Sequence, residues 1–348
     1  MGSSMLLTSP SAADLALTGG GSVGKVALVG NAGGLSGVLN FYDVLDANWA
    51  ITGHRLDLHD ASGAYVRTLA SDSITAGWVG YVTEHNGTVY VGRTSTGSDV
   101  DNHRIDAVDL SASGATFDAS TKVATLMYGY DLQFDSNGDA YASHNPGGFS
   151  PLTQIVRADL SGNDAHEVIV DVGGYAAELA FDAADNLHYG TNSLAADKLL
   201  RFDAELLDDG VTLGLADADV LSNLPSAGDG LAVDAAGNVV FSMNDYSSWP
   251  YSATMGVVWA GKDYSAYGDQ KFDVLSGAGG SVSNVMTLGD VSLYDGSLDN
   301  AAFGVGYGGP VGYVPEPACM AALAMGAAAL VRRRRTGGTG CSQPVFKQ

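Results

Sequence analysis

Asn145, Asn192 and Asn244 each fall seven residues beyond Gly138, Asp185 and Gly237, residues that share one position in a repeated stretch; Thr94 takes the same place after Gly87. Carboxamides repeated at one position of successive units could line a pocket on one face and hydrogen-bond sugar hydroxyls. The competing reading is Asx-type turns leaving a strand. The stretch "DSNGD", residues 135–139, has half the look of a calcium loop, but "DAADN" and "DAAGN" occupy its place in other units, so a hairpin turn is preferred. "DVDNH", residues 99–103, sits in a longer loop and stays ambiguous. "GGGSVGKV", residues 19–26, puts Val26 where a phosphate loop needs Ser or Thr, and strand-like residues follow. The seven histidines show no metal-ligand spacing. His188 shares a strand position with Tyr90, Tyr141 and Val240, which reads as packing, and His144 reads as a solvated loop residue beside Asn145. Tyr42, Trp49, Trp78, Tyr81, Trp249, Tyr251 and Trp259 are aromatics to watch. "DYSSWPYS", residues 245–252, could stack on sugar rings or pack over a loop.

Composition narrows what such groups can serve. The 348-residue chain has a net charge of -23. Residues 1–313 hold 11 basic and 38 acidic residues, a net of -27. That surface repels phosphate backbones, which excludes nucleic acid as a partner and suits divalent cations or neutral and cationic glycans. Both cysteines, Cys319 and Cys341, lie near the C-terminus, so residues 1–313 can hold no disulfide and no thiolate metal site. Hydrophobic content of 46% is ample for a core.

The elements that carry these residues come from a repeat. "VGYVTEHNGTVYVGRT" from Val79, "YDLQFDSNGDAYASHN" from Tyr130, "AELAFDAADNLHYGTN" from Ala177 and "DGLAVDAAGNVVFSMN" from Asp229 are each strand, tight turn, strand. Asn86-Gly87, Asn137-Gly138, Asp185-Asn186 and Gly237-Asn238 mark two-residue hairpin turns, at spacings of 51, 47 and 52 residues. Third strands are expected at "HRIDAVDLSASG", "QIVRADLSG", "KLLRFDAEL" and "GVVWAGKDYS", and fourth strands at "KVATLM", "HEVIVDV" and "DVLSGAG". "KVALVG" and the residues after it supply an earlier, degenerate unit, and "SVSNVMTLGDVSLYDGSLDNAAFGVGY" a late one. Four strands every fifty residues define an all-β chain, a single β-propeller expected to have six four-stranded blades, with five or seven as alternatives, and with the first strand placed to complete the last blade.

The repeats resemble NHL-repeat and gluconolactonase/regucalcin-like propellers, most closely at "DGLAVDAAGN", residues 229–238. The resemblance implies a central channel lined by first strands, with a divalent cation, Ca²⁺, held at one mouth by Glu, Asn and Asp. Asp229 matches the Asp position of that pattern. Ala177 and Tyr130 stand at the equivalent places, and Asp131 and Glu178 follow one residue later, on the opposite strand face. The enzymes of this group make a lactonase- or esterase-type hydrolase one function class; a non-catalytic binding or structural protein is the preferred one, since one ligand of three carries over.

"VPEPACMAALAMGAAALVRRRR", residues 314–335, sets Pro315-Glu316-Pro317 before the fourteen uncharged residues Ala318 to Val331 and the cluster Arg332, Arg333, Arg334 and Arg335. The apolar run is short of the roughly 20 residues a spanning helix needs, and the prolines bar helix continuation upstream. The order of parts resembles the PEP-CTERM sorting signal. That resemblance implies a C-terminal hydrophobic helix at the membrane, processing by an exosortase-type membrane enzyme, and delivery of an exported bacterial protein to the cell envelope, cell surface or extracellular matrix, with extracellular polysaccharide as a partner. The start, residues 1–21, has no Lys or Arg and is a poor signal peptide. The expected organisation is a leader at 1–21, the propeller at 22–313, the sorting segment at 314–335 and a tail at 336–348.

Overall fold

The computed structural model describes residues 50–94, 103–148, 150–192 and 197–223 with no gap inside them, and strand segments within 15–46 and 228–303. Contacts divide the chain into Met1–Val314 and Pro315–Gln348. The expected C-terminal helix and the sorting motif lie outside the described residues, as do Trp49, Trp249, Tyr251 and Trp259.

The described chain is nearly all strand. A short β1 (Leu15–Ala16) precedes the four strands counted here as the first sheet, β2 (Lys25–Asn31), β3 (Gly34–Leu45), β4 (Ile51–Asp60) and β5 (Tyr65–Ser71). The second sheet is β6 (Trp78–His85), β7 (Thr88–Thr94), β8 (Arg104–Asp109) and, after the two-residue β9 (Ala115–Thr116), β10 (Lys122–Thr125). The third is β11 (Gly129–Phe134), β12 (Ala140–His144), β13 (Gln154–Ala158) and β14 (His166–Asp171). The fourth is β15 (Leu179–Phe181), β16 (Leu187–Gly190) and β17 (Lys198–Phe202), then, past α1 (Ala204–Leu207), β18 (Leu213–Gly214) and one 3-10 turn, β19 (Asp219–Asn223). The fifth is β20 (Gly228–Val233), β21 (Val239–Asp245), β22 (Ser252–Val258) and β23 (Ser265–Phe272). Three short strands follow, β24 (Val274–Leu275), β25 (Val285–Leu288) and β26 (Ala302–Phe303).

The four main strands of each sheet run antiparallel in chain order, the short β9 and β18 add parallel to β5 and β14, and the first strands pack in succession: β2 on β6, β6 on β11, β11 on β15, β15 on β20. β26 pairs with both β20 and β2 and joins the end of that series to its start. β1 pairs with β25, which also pairs with β24. This is the β-propeller arrangement: the second and fourth sheets have four strands, β18 adds a fifth, parallel strand to the third, and β26 links the first and fifth groups of four into one ten-stranded sheet that β9 extends.

Alternation explains why the sheets stack this way. Val89 and Val91 of β7 join Leu39, Phe41, Leu56 and Leu69 in a core between the first two sheets. Tyr81 and Ile105, from the other face of the second sheet, join Leu132, Ala142 and Val156 of the third. Tyr141, Ile155 and Val170 then meet Leu187, Tyr189 and Phe202 of the fourth. Successive residues of one strand thus serve opposite cores, so a sheet buried on both faces needs apolar residues at both parities. Gly92 is fixed by the same packing, because a Cβ there would lie 2.1 Å from the Tyr81 ring.

Two expectations are corrected. Of the three expected turns among the described residues, Asn86-Gly87, with φ of 51° and 81° and His85 paired to Thr88, forms a two-residue hairpin turn, while Gly237-Asn238 lies outside the described residues. The third and fourth hairpins instead have five-residue loops, between Phe134 and Ala140 and between Phe181 and Leu187, each with one left-handed residue, Gly138 or Asp185. Asp135 and Asp182 build these loops: each Oδ1 accepts from two backbone N–H groups, Asn137 and Asp139 in one, Ala184 and Asn186 in the other. Strand order differs too. The fourth strand of the fifth sheet is Ser265–Phe272, and the start of "DVLSGAG" supplies Val274–Leu275, which pairs with β25. β19 completes the fourth sheet after a helical detour that hides it from a fifty-residue template.

Candidate functional site

Bulges recur where the first strands begin. Pairing skips between Val79 and Tyr81, between Gly129 and Asp131, and between Gly228 and Gly230. Gly80, Tyr130 and Asp229 are therefore the extra residues, and the residue after each is re-aimed. Asp229 sits at the bulge of β20; its side chain lies outside the described set.

The re-aimed Asp131 is buried. Its Oδ1 accepts from the Leu132 N–H at 2.8 Å and from Gln133 Nε2 at 3.2 Å, and its Oδ2 accepts from the Leu179 N–H of the fourth sheet at 2.9 Å. The Glu178 carboxyl also hydrogen-bonds it. Burial pushes the Asp131 carboxyl above its usual range, with the Leu179 N–H and Glu178 pulling the other way. Lys25 of β2 brings Nζ to 3.5 Å from Glu178 Oε1. Three first-strand regions, far apart in sequence, thus deliver one ammonium and two carboxyls to one buried cluster. The sequence put Asp131 and Glu178 on the strand face opposite Asp229 and did not pair them; Lys25 was missed, because nothing in "GGGSVGKV" marks it as their partner.

A calcium ion takes six to eight oxygen ligands. The described donor set falls short of that: it offers two carboxyls, Asp131 and Glu178, with the Lys25 ammonium 3.5 Å from Glu178 Oε1. Among the described residues no group of three or more His, Cys, Asp and Glu is arranged to hold a metal.

The asparagines go to backbone. Asn145 is buried; its Nδ2 donates to the Ser150 carbonyl and its Oδ1 accepts from the Gly147 N–H at 3.2 Å. Asn192 Nδ2 donates to the Ala176 carbonyl at 3.4 Å. Asn244 lies on β21 opposite Ala253, with its side chain outside the described set. His144 is buried, not solvated: a ring nitrogen lies 3.2 Å from the Met127 carbonyl, and burial pulls its pKa down to about 4. His188 is buried with Nε2 3.1 Å from Asp182 Oδ2, in line with a packing role.

Sequence reading also missed a buried chain of charges between the first and second sheets. His54 of β4 has Nδ1 3.0 Å from Asp72 Oδ1 and Nε2 3.4 Å from Asp43 Oδ1. Arg93 of β7 reaches Asp72 at 2.5 Å and Asp106 at 3.0 Å, and Arg104 also pairs with Asp106. Asp43 Oδ1 accepts from the Val79 N–H at 3.2 Å, so the chain ties one sheet to the next. The only available signal was polar residues at strand positions where the alternation called for apolar ones.

No protein-family model matches the sequence, and no curated protein matches it. Solved structures do align. A luciferin-regenerating enzyme aligns at 12% identity and TM-score 0.47, over 86% of this chain and 98% of that one. TolB from Acinetobacter baumannii aligns at 12% and 0.44, over 69% of this chain; the aligned part spans about half of TolB, 51%. Regucalcin from Agrobacterium tumefaciens, described as a calcium-binding protein, aligns at 12% and 0.37, over 67% and 74%.

Proposed function

We propose that this chain is an exported, six-bladed β-propeller of the bacterial cell envelope or extracellular matrix, with a non-catalytic binding or structural role. One observation carries the non-catalytic reading. The first-strand carboxylate best placed for channel chemistry, Asp131, has both oxygens taken by N–H donors, one of them from the next sheet. A group held like that ties blades together, which supports a structural use of this carboxylate. Delivery rests on Pro315-Glu316-Pro317, the apolar run and Arg332 to Arg335. A sixth blade is supported by β1 lying beside β25, which would let the N-terminal strand close the ring.

Delivery is tested in cells that carry an exosortase-type processing enzyme. Glu316→Ala, or replacement of the four arginines by Gln, leaves a folded protein that is unprocessed or misplaced on fractionation. Normal processing and placement of these variants would remove the assignment.

A second reading, a metal-dependent hydrolase of lactonase type, draws on the convergence of Asp131 and Glu178 and on Asp229 sitting at the bulge of the neighbouring β20. Calorimetric titration with Ca²⁺ separates the two. The scaffold gives no tight saturable site, and Asp131→Asn leaves the isotherm unchanged. A single tight site lost in Asp229→Ala would replace the scaffold with the hydrolase and justify a lactone screen.

A further inference from the structure

An open cleft of about 640 Å³ lies between the hairpin ends of the second and third sheets. This volume is in the range of small-ligand sites. Three half-buried rings form its floor. His85 and Phe134 stack with centroids 4.2 Å apart and planes 13° from parallel, and Tyr90 tilts against Phe134 at 5.0 Å. They come from β6, β11 and β7, so rigid strands of two sheets fix the floor.

The rim decides what the floor can hold. Asp139, Asp159 and Glu167 supply three carboxylates against one guanidinium, Arg157. Arg157 is committed to the Tyr141 hydroxyl, to Asp208 and, at 3.6 Å, to Glu167. Asp159 takes the Ser161 N–H and the Asn163 amide. Asp139 is exposed, and among the described residues its carboxylate has no hydrogen-bond or ion-pair partner. His85 and His166 complete the ionisable lining. Aromatic rings accept the CH face of a pyranose and also attract an ammonium held over or beside them. The carboxylate excess, on a body of net charge -27, repels uronic acids and phosphates.

We propose that this cleft binds a cationic amino sugar, a glucosamine-type unit of an extracellular polysaccharide, with its ring against Tyr90 and Phe134 and its ammonium on Asp139. This names a ligand class for the matrix role proposed above and rests on that reading. It uses neither Asp131 and Glu178 nor the sorting segment.

The test is calorimetric titration of the full chain with glucosamine oligomers, with their fully N-acetylated counterparts and with neutral glucose oligomers of equal length. Glucosamine oligomers bind, more weakly as salt rises. Acetylation removes the charge and weakens binding about tenfold, as does Asp139→Asn, which touches no internal hydrogen bond. Tyr90→Ala removes most of what remains. No binding, equal affinity for the acetylated or neutral oligomers, or indifference to Asp139→Asn would each overturn the proposal. Because delivery is read separately from the sorting variants, failure of the cleft leaves delivery standing, and failure of delivery with a working cleft removes the matrix role alone.

Discussion

Arg93→Met destabilises the protein by about 3 kcal/mol, measured by urea unfolding at neutral pH. The substitution keeps an apolar stem near the Phe117 ring, which lies 5.7 Å from the guanidinium carbon, and deletes only the charge. Both carboxylates that Arg93 joins are buried: side-chain exposure is 3% at Asp72 and 0% at Asp106. Breaking such a pair costs more than its formation gains, because a buried carboxylate is left under-compensated. The expected value sits at the low end of the usual 3–5 kcal/mol range because neither partner is stranded. Asp72 keeps His54 and the Ile74 N–H, and Asp106 keeps Arg104 and the Thr121 hydroxyl. A double-mutant cycle with Asp72→Asn isolates the pair: in that background Arg93→Met costs clearly less. A cost below about 1 kcal/mol, the scale of an exposed salt bridge, would mean that the chain of charges is not the inter-sheet tie inferred here.

The fold was legible because its repeat unit is local. Strand, turn and strand recur in "VGYVTEHNGTVYVGRT" and its three companions, and the hydrophobic alternation places β6 and β7, β11 and β12, β15 and β16, and β20 and β21. What the repeat obscured are departures from its length. The α1 detour delays β19, and the strand at Ser265–Phe272 is polar enough to read as loop. Turn chemistry was half legible. Asn-Gly predicts the tight turn at Asn86, but "DSNGD" and "DAADN" build wider loops because their leading Asp captures two N–H groups.

Site residues were legible by type and not by partner. Asp131 and Glu178 could be named from their place at the strand starts, yet alternation alone put them on the wrong footing. The bulge at Tyr130 shifts the parity there, and Asp131 meets the Leu179 N–H across a sheet boundary. No spacing rule reports such a contact, since the partners are 48 residues apart. The cleft is hidden for the same reason: Tyr90 and Phe134 belong to different sheets and become one floor only when the sheets stack.

The charged tie between the first two sheets also carries a pH dependence. Burial pushes the Asp43 carboxyl from 3.8 up to about 7; His54, the Val79 N–H and Arg93 pull it down, and Asp72 pushes it further up. In the unfolded chain the group ionises near 3.8, while the folded protein holds the proton until about pH 7. Between those values the folded state binds more protons than the unfolded one, so stability falls as pH rises. The contribution is fully present below the unfolded value, is lost through about pH 7, and amounts to roughly 4 kcal/mol in all. Asp43→Asn keeps an oxygen for the Val79 N–H and cannot ionise. Wild type and variant compared by urea unfolding at pH 5 and pH 8 therefore diverge: the variant gains on the wild type by on the order of 2–3 kcal/mol across that interval. The rest of the chain is identical in the two proteins, so contributions from other groups cancel to the extent that they do not depend on Asp43. Parallel pH profiles would show that Asp43 keeps one protonation state across this interval and that the tie is not a proton-dependent one.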